Sequence, residues 1–182
     1  MIYEKGLIKA MKQEYGKAGG YTVANDGQST WFVADTWFAG VPNENLSNEI
    51  KSVIALHFGR LPIVAEALSV EKKGDVQAEL LETCLEVPDK VVDADGVRYK
   101  ATYVRLGECL VFQDDALHCR MAHENNLLPI DYAYPVRLVS GWLVSDNDCF
   151  GVAGCAISDD STGFLQAQLR HLEMMDWRQI DG

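Results

Sequence analysis

The sequence lacks the loops that hold phosphates. Neither G-x-x-x-x-G-K-[ST] nor G-x-G-x-x-G occurs, and the kinase, lipase and zincin signatures are missing too. Without those glycines no backbone cradle forms for a nucleotide at a helix start, so nucleotide-dependent chemistry has no support. Long apolar runs are also missing. Stretches such as Ile63-Val64-Ala65 fall far short of the ~20 residues that cross a bilayer. Met1-Ile2-Tyr3-Glu4-Lys5-Gly6-Leu7 has neither the basic start nor the apolar centre of a signal peptide, and neither end carries a lipidation motif. The expected location is the cytoplasm, with no membrane partner. None of the five cysteines (Cys84, Cys109, Cys119, Cys149, Cys155) pairs at C-x-x-C spacing, and their number is odd. Free thiols packed as small hydrophobes are expected. Bases are scarce: 16 Lys and Arg stand against 27 Asp and Glu, a net charge of −11.

What remains is a composition of 48% apolar and 24% charged residues over 182 positions. A disordered chain of this charge would be poorer in apolar residues. At this length about two thirds of the unfolded surface is buried, so neither disulfide nor metal is needed for stability. No Pro- or Gly-rich linker divides the chain. The reading is a single domain over residues 1–182, any subdivision falling near 87–90.

Hydrophobic spacing predicts a helix over 2–18, with Ile2, Leu7, Ile8, Met11 and Tyr15 mostly on one face and Lys5, Lys9, Lys12 and Lys17 on the other. A hairpin follows, Tyr21–Ala24 and Ser29–Ala34 flanking Asn25-Asp26-Gly27-Gln28. Trp37–Pro42 reads as a compact apolar connection. Ser47 is placed to cap a helix through Ile50, Val53, Ile54, His57 and Phe58, stopped by Gly59 and Pro62. Residues 63–86 fit two short helices or a hairpin broken at Lys73-Gly74-Asp75, and the helix formers Ala78, Leu80 and Leu81 favour a helix over 75–84. From residue 90 the chain reads as β. The expected strands are Val91–Ala94 and Val97–Arg105 around Asp95-Gly96, Glu108–Phe112, Leu117–Met121, Tyr134–Val144 and Phe150–Ser158. A last helix runs from about Ser161 to Trp177, with Phe164, Leu165, Leu169, Leu172 and Met175 as its buried stripe. Terminal helices and one or two internal helices packed on antiparallel hairpins make an α+β fold.

Reactive side chains are densest from Asp114 to Glu124. His118, His123 and Glu124, with Asp115, could ligate a transition metal for a hydrolase or nuclease. The spacing is against it: five residues apart, the imidazoles face opposite sides of a strand, or lie about 140° apart on a helix. Local hydrogen bonding also explains the carboxylate pairs Asp114-Asp115, Asp146/Asp148 and Asp159-Asp160, each at a predicted turn or helix start. Neither a catalytic residue nor a cofactor is expected, and the chain reads as non-enzymatic. Tyr99, Tyr103, Phe112, Trp142 and Phe150 are expected in the core. The group Trp31-Phe32 with Trp37-Phe38 is core by preference, with Trp31 and Trp37 as candidate partner contacts.

Charge is unevenly distributed. Residues 1–20 hold four Lys against two Glu. Residues 76–96 hold six acids, Glu79, Glu82, Glu86, Asp89, Asp93 and Asp95, against Lys90 alone. A field of that sign repels nucleic acid and draws in a basic surface. In size and acidity the whole chain resembles the phage and mobile-element anti-CRISPR inhibitors that bind Cas9. The resemblance rests on no motif. It implies a non-enzymatic inhibitor of a basic nucleic-acid-binding protein, such as Cas9 with its guide RNA, with the six acids as candidate contacts. Self-association into a homodimer, as an accessory protein of a mobile element, stays open.

Overall fold

A computed structural model describes residues 3–72, 74–147, 151–158 and 163–178. Its strands are β1 (Tyr21–Asn25), β2 (Ser29–Val33), β3 (Trp37–Pro42), β4 (Glu66–Lys72), β5 (Asp75–Glu79), β6 (Val97–Leu106), β7 (Cys109–Asp114), β8 (Cys119–His123), β9 (Val136–Val139), β10 (Trp142–Asn147) and β11 (Gly151–Ala156). They form one antiparallel sheet in the order β5-β4-β1-β2-β3-β11-β10-β9-β6-β7-β8. Around it lie α1 (Glu4–Glu14), α2 (Asn48–Phe58), α3 (Leu81–Val91) and α4 (Gly163–Leu172). The α+β class with helices at both ends is as expected. No helix among the described residues is long and apolar enough to cross a membrane.

Alternation along β3 sorts the two faces. Trp37, Ala39 and Val41 join the main core, which α1 and α2 cover with Leu7, Met11, Ile50, Ile54 and Phe58. Phe38 points the other way, into a second cluster with Val91 of α3, Val139, Val144 and Val152. Cys84 and Leu85 of α3 pack on Ala24 and Ala67 beside it. Farther along, Leu165, Leu169 and Leu172 of α4 pack around Val111, Cys119 and Met121. Two glycines make room under α3. A Cβ on Gly40 would lie 2.6 Å from the Trp31 ring, and one on Gly154 would lie 2.4 Å from Phe38.

The first hairpin and α2 form as expected. Asp26 Oδ1 accepts from the backbone N of Gln28 and of Ser29, both at 2.7 Å, which fixes the turn. Ser47 Oγ accepts from Ile50 N at 3.2 Å, and Gly59 closes α2 at φ 77°.

Several expectations are corrected. Trp37–Pro42 is a strand. Its first five residues are all buried, on one face or the other, so apolar and polar residues do not alternate along it. Residues 75–79 form β5, hydrogen-bonded to β4, and the helix is displaced to 81–91. Val91 ends that helix, so no hairpin forms at Asp95-Gly96. Instead Arg137 on β9 donates to the carbonyls of Ala94 and Val92 and holds the segment that was expected as a strand. The expected strand over 134–144 is two, β9 and β10, joined through Ser140 and Gly141 at φ 47° and 85°. Positive φ at both central residues is the signature of a tight hairpin turn. Tyr103 is 70% exposed, and so are Phe164 at 70% and Met175 at 59%. Phe150 and Cys149 lie outside the described residues.

Candidate functional site

The carboxylate stretch 79–95 starts at the end of β5, passes along α3 and turns back toward β6. Burial of Cys84, Leu85, Pro88 and Val91 against the sheet fixes the rotation of α3. Glu82, Glu86 and Asp89 follow at intervals of four and three, the spacing of one helix side, and Asp93 comes four residues on, just past the helix end. All four are exposed, as are Glu79 and Asp95. Lys90 is the one base in this stretch, and its Nζ lies 2.7 Å from Glu86 Oε1.

Register extends the patch. Glu79 pairs with Ala67, and Gln77 with Ser69. Ala67 belongs to the α3 side of the sheet, so Asp75, Gln77 and Glu79 project on that side too. Asp35 adds to it. A cleft of about 380 Å³ between α3 and the sheet is lined by Asp35, Glu79, Glu86, Thr22, Phe38 and Trp142. The sequence reading missed Asp35, because the proximity of residue 35 to 79 and 86 depends on the sheet order. The lysines of α1 are on the other side of the sheet, since α1 packs on the opposite core.

The two tryptophans part company. Trp37 is 1% exposed and sits in the main core, so it offers no surface to a partner. Its Nε1 has no hydrogen-bond partner among the described residues. Trp31 is half-buried beneath α3, with Nε1 donating to Asp26 Oδ2 at 2.7 Å.

The Asp114–Glu124 residues are not brought together around a common point. Asp114 accepts from the backbone N of His118 at 2.8 Å and faces its Nδ1 at 3.0 Å. Burial raises the Asp114 pKa, but these bonds outweigh it and hold the carboxyl below its ordinary value. His123 Nε2 is 2.9 Å from Glu108, Glu124 pairs with Arg105, and Asp115 pairs with Arg178. Among the described residues no three His, Cys, Asp or Glu side chains are grouped to hold a metal. Burial also pushes the Cys119 thiol up to about 11, away from nucleophile behaviour at neutral pH. The side chains of Asp146, Asp148, Asp159 and Asp160 lie outside the described residues.

Another cleft, about 520 Å³, lies between the start of α1 and the loop 124–133. Tyr3, Lys9, Arg105, Glu124, Asp131 and Tyr132 are on its rim. Arg105 is taken by Glu124, and Asp131 Oδ1 accepts from Ala133 N at 3.2 Å.

No known protein family matches the chain, and no curated protein matches it. Among solved structures it is similar to the DNA polymerase III subunit beta DnaN sliding clamp of Bartonella birtlesii, at 10% identity and a TM-score of 0.28. That alignment covers 90% of this chain and 65% of the clamp's length. A likeness of that size says nothing about fold or activity.

Proposed function

We propose that the protein is a non-enzymatic binding protein whose α3 side captures a basic protein surface. The observation that supports this most is the helix side that Glu82, Glu86 and Asp89 share, with Glu79 before it and Asp93 and Asp95 after it, and with the sheet between them and the lysines of α1. Charge segregated in this way gives the molecule a direction, which steers a cationic partner onto one face. A nucleic-acid-binding protein presents such a surface, and masking it blocks its use. The inhibitor reading follows, and Cas9 with its guide RNA is the first complex to test.

The test is binding of the immobilised chain to Cas9–guide RNA from about 50 mM to about 1 M salt, over which the screening length falls to about 3 Å. Glu82→Lys with Glu86→Lys is compared with Glu44→Lys with Glu49→Lys, the same charge change on exposed residues outside the α3 patch. Retention that weakens with salt and is lost in the first pair alone supports the proposal. No retention of the parent chain at low salt refutes Cas9 as the partner. Equal losses in both pairs refute the α3 surface as the contact.

A further inference from the structure

The two edges of the sheet are finished differently. At the β8 edge, Ser158 N donates to Met121 O at 2.8 Å, and the Glu173 carboxylate accepts from Cys119 N at 3.0 Å. Those contacts occupy backbone groups that an incoming strand would need. At the other edge β5 pairs with β4 on one side only. All five residues of β5 are exposed. Among the described residues no backbone hydrogen bond reaches its outer side.

The side chains of β5 carry a period-two code. Asp75, Gln77 and Glu79 project on the α3 side, next to Glu82 and Glu86. Val76 and Ala78 project on the other, because their partners Val70 and Leu68 belong to the main core. A strand added here would set alternate residues against carboxylates and the rest against small apolar groups. A second copy of this chain is disfavoured in the one antiparallel register that pairs all five residues of β5. Antiparallel self-pairing centred on Gln77 sets Asp75 against Glu79 of the other copy at both ends, and like charges directly opposite are destabilising.

We propose that β5 takes up an extended segment of the partner, alternately basic and apolar, as a twelfth strand of the sheet. Main-chain hydrogen bonds along β5 supply the grip, while Asp75 and Glu79 with α3 select for Lys or Arg at every second position. This rests on the reading that the partner is basic, and adds how the partner is held.

The experiment uses the full chain and two synthetic peptides of about seven residues, the length of an ordinary strand. One alternates Lys and Val. The other replaces each Val with Pro, which keeps the charge but removes the N–H of every second residue and fixes φ there away from the β-strand value. Binding is measured by titration, and hydrogen exchange is read along the chain. The expected result is at least about tenfold tighter binding of the Lys-Val peptide, equivalent to 1.4 kcal/mol, with exchange slowed at β5 amides. Val76→Lys with Ala78→Lys, both at exposed positions, removes that preference without disturbing the core. Equal binding of the two peptides, or slowed exchange on α3 alone, overturns strand addition and leaves the acidic surface standing. Loss of binding to Cas9–guide RNA by Glu82→Lys with Glu86→Lys, with β5 exchange unchanged by either peptide, has the same meaning. A dimer of the chain alone, broken by the β5 lysines, makes a second copy the occupant and overturns the proposal.

Discussion

Asp89 lies in the last turn of α3, and Asp93 lies just past its end at Val91. Both stand where the helix dipole is negative. An anion there costs about 0.3–1 kcal/mol at low ionic strength. Lys90, the base in the same turn, is spent on Glu86. Neither aspartate accepts a hydrogen bond among the described residues. Asp89→Asn with Asp93→Asn is therefore expected to stabilise the fold by about 1 kcal/mol, or roughly 2–4 °C in melting temperature for a domain of this size. The assay is a thermal melt of parent and variant at low salt, repeated at about 1 M, where screening shrinks the gain. Partner binding should weaken in the variant that is more stable, as expected of residues kept for an interaction. A variant less stable than the parent at low salt would refute this reasoning. It would mean that the two carboxylates hold the end of α3, and their presence would need no partner.

Three other outcomes are expected. Gln113 is fully buried, its Nε2 2.9 Å from Met175 O and 3.1 Å from Leu117 O, and its Oε1 accepts from Trp177 N at 2.8 Å. Gln113→Met fills similar space but leaves those groups unpaired, so chemical denaturation should show a loss of about 2–4 kcal/mol and hydrogen exchange should speed up after α4. His57 is buried, stacked 3.8 Å from Tyr15, with Nδ1 2.7 Å from Tyr21 OH, and burial together with the Lys12 charge holds its pKa below 6.5. The unfolded chain then takes up the proton first, so stability is full above about pH 6.5 and falls as the pH drops below it. That slope should flatten in His57→Gln. Burial raises the Cys84 and Cys119 thiols to about 12 and about 11, and raises fully buried Cys155 further. At pH 8 these three should resist a thiol reagent until the protein is unfolded, and fast reaction of more than two of the five cysteines would contradict their burial.

Where local chemistry decides, the sequence was readable. Ser47 and Gly59 bound α2 because a cap and a left-handed stop act within one turn. Asp26 and Gly27 close the first hairpin for the same reason. Readability failed where distant pairing decides. Ala78 and Leu80 favour a helix locally, but the backbone of 75–79 is taken by β4. Buried from Trp37 to Val41 and holding Gly40 beneath the Trp31 ring, β3 has neither a polar-apolar alternation nor the composition of an ordinary strand. The Ser140-Gly141 turn was legible in principle, since a Ser-Gly pair between apolar runs marks a turn. The acids of 79–95 were found from composition alone. Their shared side, and the addition of Asp35, depend on how α3 is rotated and on the order of the strands.

That rotation explains how α3 can carry so adverse a charge pattern. By local criteria it is a poor helix. No side chain caps its start at Leu80, Pro88 inside it has no N–H to offer the Cys84 carbonyl, and Asp89 stands in its last turn, the unfavourable end for an anion. An interior proline alone costs about 3 kcal/mol. The helix is held by what it covers: Cys84 and Leu85 on Ala24 and Ala67, and Val91 on Phe38 and Val152. Gly40 and Gly154 let the Trp31 and Phe38 rings lie close against the sheet beneath it. Since the buried side fixes its place, the outward side contributes little to folding. Composition there is free of that constraint, so the acids on that side can serve the proposed binding of a cationic surface without loss of the fold.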